Sequence, residues 1–224
     1  MEDTGEVVLE PPDIVEIPLP DAQRQELLSI IQPAVDRNRA TTGQFCSHPD
    51  AEVVIDTGSS KPSYVRQYKV PLRRVEPMRE QVAKWLAAGL ISLAPRGCLW
   101  NSPLLGVDKK DADGRPTAVR TCLDPRHVNQ KHEGDGFPIP CIPDILEEVS
   151  GCVVFSALDL EWSYHQFPLH PDSREKTAFT SGGAHYMFVG APFGLKALTS
   201  TFQRVMHKIL SPLPFAHPYV DDIA

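Results

Sequence analysis

The sequence predicts an α+β fold, and three features predict it. The stretch SPLLGVDKK, DADGRP, TAVRTCLD reads as two strands joined by a tight turn at Asp113-Gly114. A second strand pair, KTAFT and HYMFVG, flanks the turn residues Gly182-Gly183. Alongside them stand two segments of helical period. Met78, Val82, Trp85 and Leu86 share a face over about 76–88, and Leu198, Phe202, Val205, Met206 and Ile209 share one within KALTSTFQRVMHKIL.

The remaining elements follow in order. Residues 1–20 are acidic and proline-rich and read as an extended arm. Asp21 can cap a helix over about 22–35, striped by Leu27, Leu28, Ile31 and Val35. Gly89 ends the helix that starts near Glu76. DPRHVNQ reads as a loop, and a short helix over about 143–149 leads through Gly151 into CVVFSALDL. That apolar run predicts a buried strand with Asp159 at its C-terminal end. HPYVDDIA reads as a hairpin. Two domains result: an arm with one helix over 1–60 and a folded domain over 61–224.

A chain of 224 residues that is 42% hydrophobic has the material for a core. Its 22 prolines are scattered, which favours a loop-rich topology over a helix bundle. The net charge of −7 conceals an asymmetry: residues 1–60 carry 3 basic and 12 acidic side chains, residues 61–131 carry 14 and 6, and residues 132–224 carry 5 and 11. The middle third is a candidate polyanion-binding region, or a solvated basic surface. Five cysteines at 46, 98, 122, 141 and 152 form no C-x-x-C pair, and no apolar signal run opens the chain. They are expected to be reduced, mostly buried thiols of an intracellular protein, cytoplasmic or nuclear. Cys46 and His48 could begin a zinc site, but no second half follows. No apolar window is long enough to span a membrane.

Two acidic motifs carry chemistry. Asp56-Thr57-Gly58, after three apolar residues, reads as the catalytic turn of an aspartic protease. Asp159, Asp221 and Asp222 stand at the ends of apolar runs, where unpaired charge is costly. If their strands are neighbours in one antiparallel sheet, the three carboxylates meet and suit a hard, oxygen-preferring ion, most naturally Mg²⁺. The alternative is that Asp221-Asp222 is a turn and Asp159 a cap.

Eight stretches in order decide between these readings: KKD at 109–111, RTCLDPRHVN, FPIP, FSALDLEWSYHQ, KTAFT, APFGL, TFQRVM and YVDD. Together they make residues 61–224 resemble the reverse transcriptase domain of gypsy-type LTR retrotransposons. In that family a segment similar to His48–Pro62 joins the polymerase to an upstream protease, which makes DTGSS a boundary rather than a catalytic centre. LDPRHVN, WSYHQ and LTSTFQ depart from the family pattern, and Asp108 puts an acid directly before Lys109-Lys110.

The resemblance implies the fingers and partial palm of a right-hand polymerase, with an antiparallel palm sheet and packed helices. The thumb, the rest of the palm and any RNase H are expected to be missing partners from a parent polyprotein. It implies two Mg²⁺ ions, with Mn²⁺ as a substitute, on Asp159, Asp221, Asp222 and the carbonyl of Leu160. Lys109 and Arg120 would grip a dNTP triphosphate, Tyr164 would wall off a ribose 2′-hydroxyl, and Phe193 and Gly194 would border that pocket. Lys110 and Arg126 would meet the RNA or DNA template-primer, or Arg126 would brace its loop, two roles the sequence leaves open. Three functions are thus expected in turn: an RNA-directed DNA polymerase domain, weak or inactive as this fragment; a non-catalytic nucleic-acid-binding remnant; and an aspartic protease.

Overall fold

The computed structural model describes residues 20–41, 45–111, 113–134, 136–160 and 163–224. Of the arm read over residues 1–20, residues 1–19 lie outside them, as does Trp162 of the WSYHQ stretch. The chain divides into two compact units, Met1–Gln44 and Phe45–Ala224. In the first, helix α1 spans Asp21–Thr41. It outruns the expected 22–35, and an i,i+4 bond from Gln32 Nε2 to Asp36 at 2.8 Å supports the added turn.

The second unit mixes helices with small antiparallel sheets, as the α+β expectation requires. Its elements are α2 (Leu72–Ala87), β1 (Ile91–Leu93), β2 (Leu104–Lys110), β3 (Pro116–Leu123), α3 (Arg126–Asn129), α4 (Ile142–Glu148) and β4 (Leu158–Asp159). Then come α5 (Pro171–Arg174), β5 (Phe179–Ser181), β6 (Ala184–Phe188), α6 (Lys196–Leu210), β7 (Pro218–Tyr219) and β8 (Asp222–Ile223). The strands pair in the orders β1-β6-β5, β2-β3 and β4-β8-β7.

Both predicted hairpins form around their glycines, and α3 turns where a plain loop was expected. Met78, Val82 and Trp85 bury one face of α2, while Leu86, at the edge of that stripe, is 44% exposed. On α6, Leu198, Phe202, Val205 and Met206 are buried and Ile209 is not. α2 closes on β5 and β6 through Phe179 and Phe188, both fully buried. Trp85 meets Phe188 and Phe179 edge-on, with ring centroids 5.2 and 6.4 Å away. The segment 45–60, grouped with the arm by sequence, lies in this unit. Ala51, Val53 and Ile55 are buried, and Val53 exchanges backbone bonds with Pro168 and His170.

One strand differs from expectation. CVVFSALDL contributes only Leu158 and Asp159 to a sheet, and Val153, Val154 and Phe155 are 95, 81 and 65% exposed. Burying an apolar strand needs a covering layer, and none of the described residues supplies one here. Contiguous apolar exposure of this kind promotes association. Val154→Lys is therefore expected to reduce self-association of the chain, measured by sedimentation velocity. The thiols are free as expected, but none is fully buried: Cys46, Cys98 and Cys122 are half-buried, Cys141 and Cys152 exposed.

Candidate active site

The acidic centre is built by backbone register. In the β4-β8-β7 sheet Asp159 faces Asp222 and Tyr219 faces Asp222. The Leu160 N–H donates to the Asp221 carbonyl at 3.0 Å, which fixes the neighbouring acid alongside. The convergence expected from the hairpin thus occurs in the backbone. The expected burial does not: Asp159 and Asp222 are exposed and Asp221 half-buried, so desolvation does not demand a cation. Among the described residues no three His, Cys, Asp or Glu side chains are grouped closely enough to hold a metal ion. That holds for the Cys46–His48 pair as well. The donor set at the sheet, all oxygen and open to water, has the chemistry of a site for a hydrated hard cation.

The turn between β7 and β8 is strained. Val220 sits at φ +56°, alone among the described non-glycine residues in the left-handed region. The side chain of Gln203, 1% exposed on α6, brackets it. Gln203 Oε1 accepts from the Val220 N–H at 2.7 Å, and its Nε2 donates to the Pro218 carbonyl at 2.8 Å.

The basic hairpin sorts its charges by face. Val107 pairs with Arg120 and Lys109 with Ala118, so Lys109 and Arg120 project from one face as diagonal neighbours. Both are exposed, as is Lys110 beyond an irregularity in the ladder. Asp108 points to the opposite face. There Arg74 grips it with two bonds, at 3.0 and 2.6 Å, and Arg73 adds a third at 2.8 Å. The Arg74 hydrogen bond, ahead of the other charges, holds the Asp108 carboxyl below its usual range. The acid before Lys109-Lys110 is therefore neutralised on the face opposite Lys109 and Arg120.

Arg126 braces a loop. Its guanidinium binds both oxygens of Asp124, at 2.8 and 2.6 Å, and Asp124 is 2% exposed and also accepts from the Tyr68 hydroxyl at 3.3 Å. That hydrogen bond from Arg126 depresses the Asp124 carboxyl and raises the guanidinium.

Tyr164 is half-buried, its ring edge-on to Phe193 at 5.0 Å and to Phe202 at 5.3 Å. Burial raises its phenol, and the charge of Asp221 adds to the rise, which ties Tyr164 to the acidic centre. Phe193 is exposed beside it, and Gly194 takes φ +89° with the Pro125 ring 3.4 Å from where a Cβ would stand. Asn129 holds this bend, donating to the Gly194 carbonyl at 2.7 Å and accepting from the Lys196 N–H, the first of α6, at 2.9 Å. Sequence reasoning gave no role to Asn129 or Gln203, each an amide directly after an apolar residue.

The family model for reverse transcriptase (RNA-dependent DNA polymerase) matches residues 107–224. The chain belongs to the reverse transcriptase family. This reverse transcriptase chain is 34% identical over 218 residues to the retrovirus-related Pol polyprotein from transposon gypsy of Drosophila melanogaster, covering 94% of this chain and 20% of that protein. To the Pol polyprotein from transposon 297 of the same organism it is 35% identical over 174 residues, covering 76% and 16%. It thus spans about a fifth or less of these relatives. The foamy viral protease-reverse transcriptase dRH in complex with ds DNA matches with a TM-score of 0.75 and 24% identity, over 92% of this chain and 35% of that one. The foamy viral protease-reverse transcriptase in complex with RNA/DNA hybrid matches with 0.74 and 22%, over 92% and 27%. At such identities the likeness establishes the fold.

The protease reading gains no support from this reverse transcriptase chain. The Asp56 side chain accepts from the Gly58 N–H at 2.8 Å in a local turn, and the Asp56 carbonyl is bonded to His132 Nδ1 and the Glu133 N–H.

Proposed function

We propose that this chain is the fingers and part of the palm, over 61–224, of an RNA-directed DNA polymerase from a retrotransposon polyprotein. Its reaction is attack of a primer 3′-hydroxyl on the α-phosphate of a dNTP. The observation that carries the reading is the pairing of Asp159 with Asp222 beside Asp221 in one short sheet. Asp159, Asp221 and Asp222, with the Leu160 carbonyl, would hold two Mg²⁺ or Mn²⁺ ions, which supply activation of the hydroxyl and neutralisation of the leaving pyrophosphate. Lys109 and Arg120, on one exposed face, grip the triphosphate, a point charge beside a planar fork.

Tyr164, backed by Phe202 and Phe193, presents a wall that a 2′-hydroxyl would strike, and Gly194 lets the backbone approach the nucleotide. Lys110 contacts the template-primer backbone, whereas Arg126 serves chiefly by bracing its loop. The rest of the palm, the thumb and RNase H belong to further polypeptide, which also covers the apolar run at 153–155. Primer extension on an RNA template with Mg²⁺ or Mn²⁺ tests the reading. Asp159→Asn is expected to lower the signal by about 10²–10³-fold or more, the scale of a lost transition-state stabiliser. Extension unaffected by that change overturns the polymerase reading, and salt-sensitive binding without extension supports a binding remnant.

A further inference from the structure

We infer that Asp108 is a positioning residue for the hairpin charges, clamped from behind by Arg74 and Arg73 so that Lys109 and Arg120 meet a triphosphate in fixed geometry. The inference rests on the triphosphate reading of those two residues given above. In the ladder Asp108 stands opposite Val119. Lys109 follows the one and Arg120 follows the other, so each cation is a single residue away from the clamped pair and turned to the other face.

The clamp reaches in from a different element. Arg74, in the first turn of α2, commits its whole guanidinium to β2. Its Nε and Nη2 donate to the Asp108 carboxylate, and its Nη1 donates to the Gly106 carbonyl at 2.8 Å. Gly106 lies on the same face as Asp108, and a Cβ there would stand 2.9 Å from Met78 Sδ and 3.3 Å from Arg74 Cδ, so helix and strand meet with no side chain between them. The side chains of Asp108 and Arg74 are only 16 and 25% exposed, which shelters the pair from screening, and Arg73 adds its bond from the rim.

The hairpin needs such a support. Among the described residues β2 and β3 pair with each other alone, and a two-stranded ribbon is marginal by itself. By its charge, Asp108 opposes an anion at Lys109. Position and charge therefore predict opposite signs when the acid is neutralised.

Inorganic tripolyphosphate is the probe, titrated into the 224-residue chain at low salt by isothermal titration calorimetry. No divalent cation is added, so the acidic centre takes no part. Asp108→Asn is expected to weaken binding about 5- to 10-fold, within the worth of one charge-assisted hydrogen bond to phosphate, whereas loss of the charge alone would tighten it about twofold. Arg74→Lys keeps every charge and removes the planar fork, and is expected to weaken binding by a similar factor. The double variant should lose no more than the worse of the two, because both changes open one clamp. All are measured well below the unfolding midpoint, where a contribution to stability alone leaves affinity unmoved. Should Asp108→Asn fail to fold, Arg74→Lys carries the test.

Unchanged affinity in Arg74→Lys, or tighter binding in Asp108→Asn, overturns the positioning role and leaves Asp108 as a mere charge beside the site. Losses that add in the double variant also overturn it, since the two residues then act separately. Tripolyphosphate bound no better by the wild type than by Lys109→Ala with Arg120→Ala removes the triphosphate reading and this inference with it.

Discussion

Trp85→Ala is expected to destabilise the second unit by about 3–5 kcal/mol, the usual cost of emptying a large aromatic site. Trp85 is the ring through which α2 reaches Phe179, Phe188 and His165 at once. No exposed side chain can swing in to fill its place, because its neighbours are held in sheet strands and a buried turn. Single domains are stable by about 5–15 kcal/mol in total, so the variant should be near the limit of folding. Urea denaturation followed by far-UV circular dichroism measures it. Leu86→Ala, one residue along and 44% exposed, should lower stability by only about 0.5–1 kcal/mol.

The same cluster should make the fold sensitive to mild acid. His165 is buried, stacked parallel to Phe188, with Nδ1 3.1 Å from the Ala191 carbonyl. Burial pushes its imidazole down to about 4 despite that bond, against about 6.5 in an unfolded chain. Between these values the unfolded chain takes up a proton that the folded one refuses. Stability is therefore fully present above about pH 6.5 and falls as the pH drops toward 4, by on the order of 3 kcal/mol. Urea midpoints between pH 7.5 and 4.5 should show the slope, and His165→Phe should flatten it. A slope unchanged by that substitution would assign the acid sensitivity to the carboxylates.

Much of this was legible in the sequence because its causes are local. The α2 and α6 stripes need only a 3.6-residue period, and the hairpins at Gly114 and Gly182-Gly183 need only their turn residues. The meeting of Asp159 with Asp221-Asp222 was legible as well, since two strands that pair bring their ends together. The buried strand at 152–159 was misread because burial depends on what lies over a strand, which composition does not record. Ile209 and Leu86 were overcounted for a related reason, as a stripe drawn from spacing is wider than the contact a helix makes.

Asn129 and Gln203 went unassigned because an amide finds its partners in distant backbone. A signal for Gln203 existed: a polar residue set among Leu198, Phe202, Val205 and Met206 on one helix needs a buried partner. A second lay in Arg73 and Arg74. Two cations in the first turn of α2 oppose the helix dipole unless an acid faces them, and Asp108 is that acid.

The fastening of the basic hairpin at its root has a mechanical meaning. Asp124 ties the end of β3 to the Pro103 carbonyl through its N–H and to Tyr68 through its carboxylate, and Asn129 staples the following turn to Gly194 and Lys196. A hairpin anchored in this way is a cantilever: its base moves with the aromatic pocket as one body. Bending has to be taken up farther out, where the ladder slips between Lys109 and Lys110. The tip can then swing without disturbing the aromatic pocket at its base.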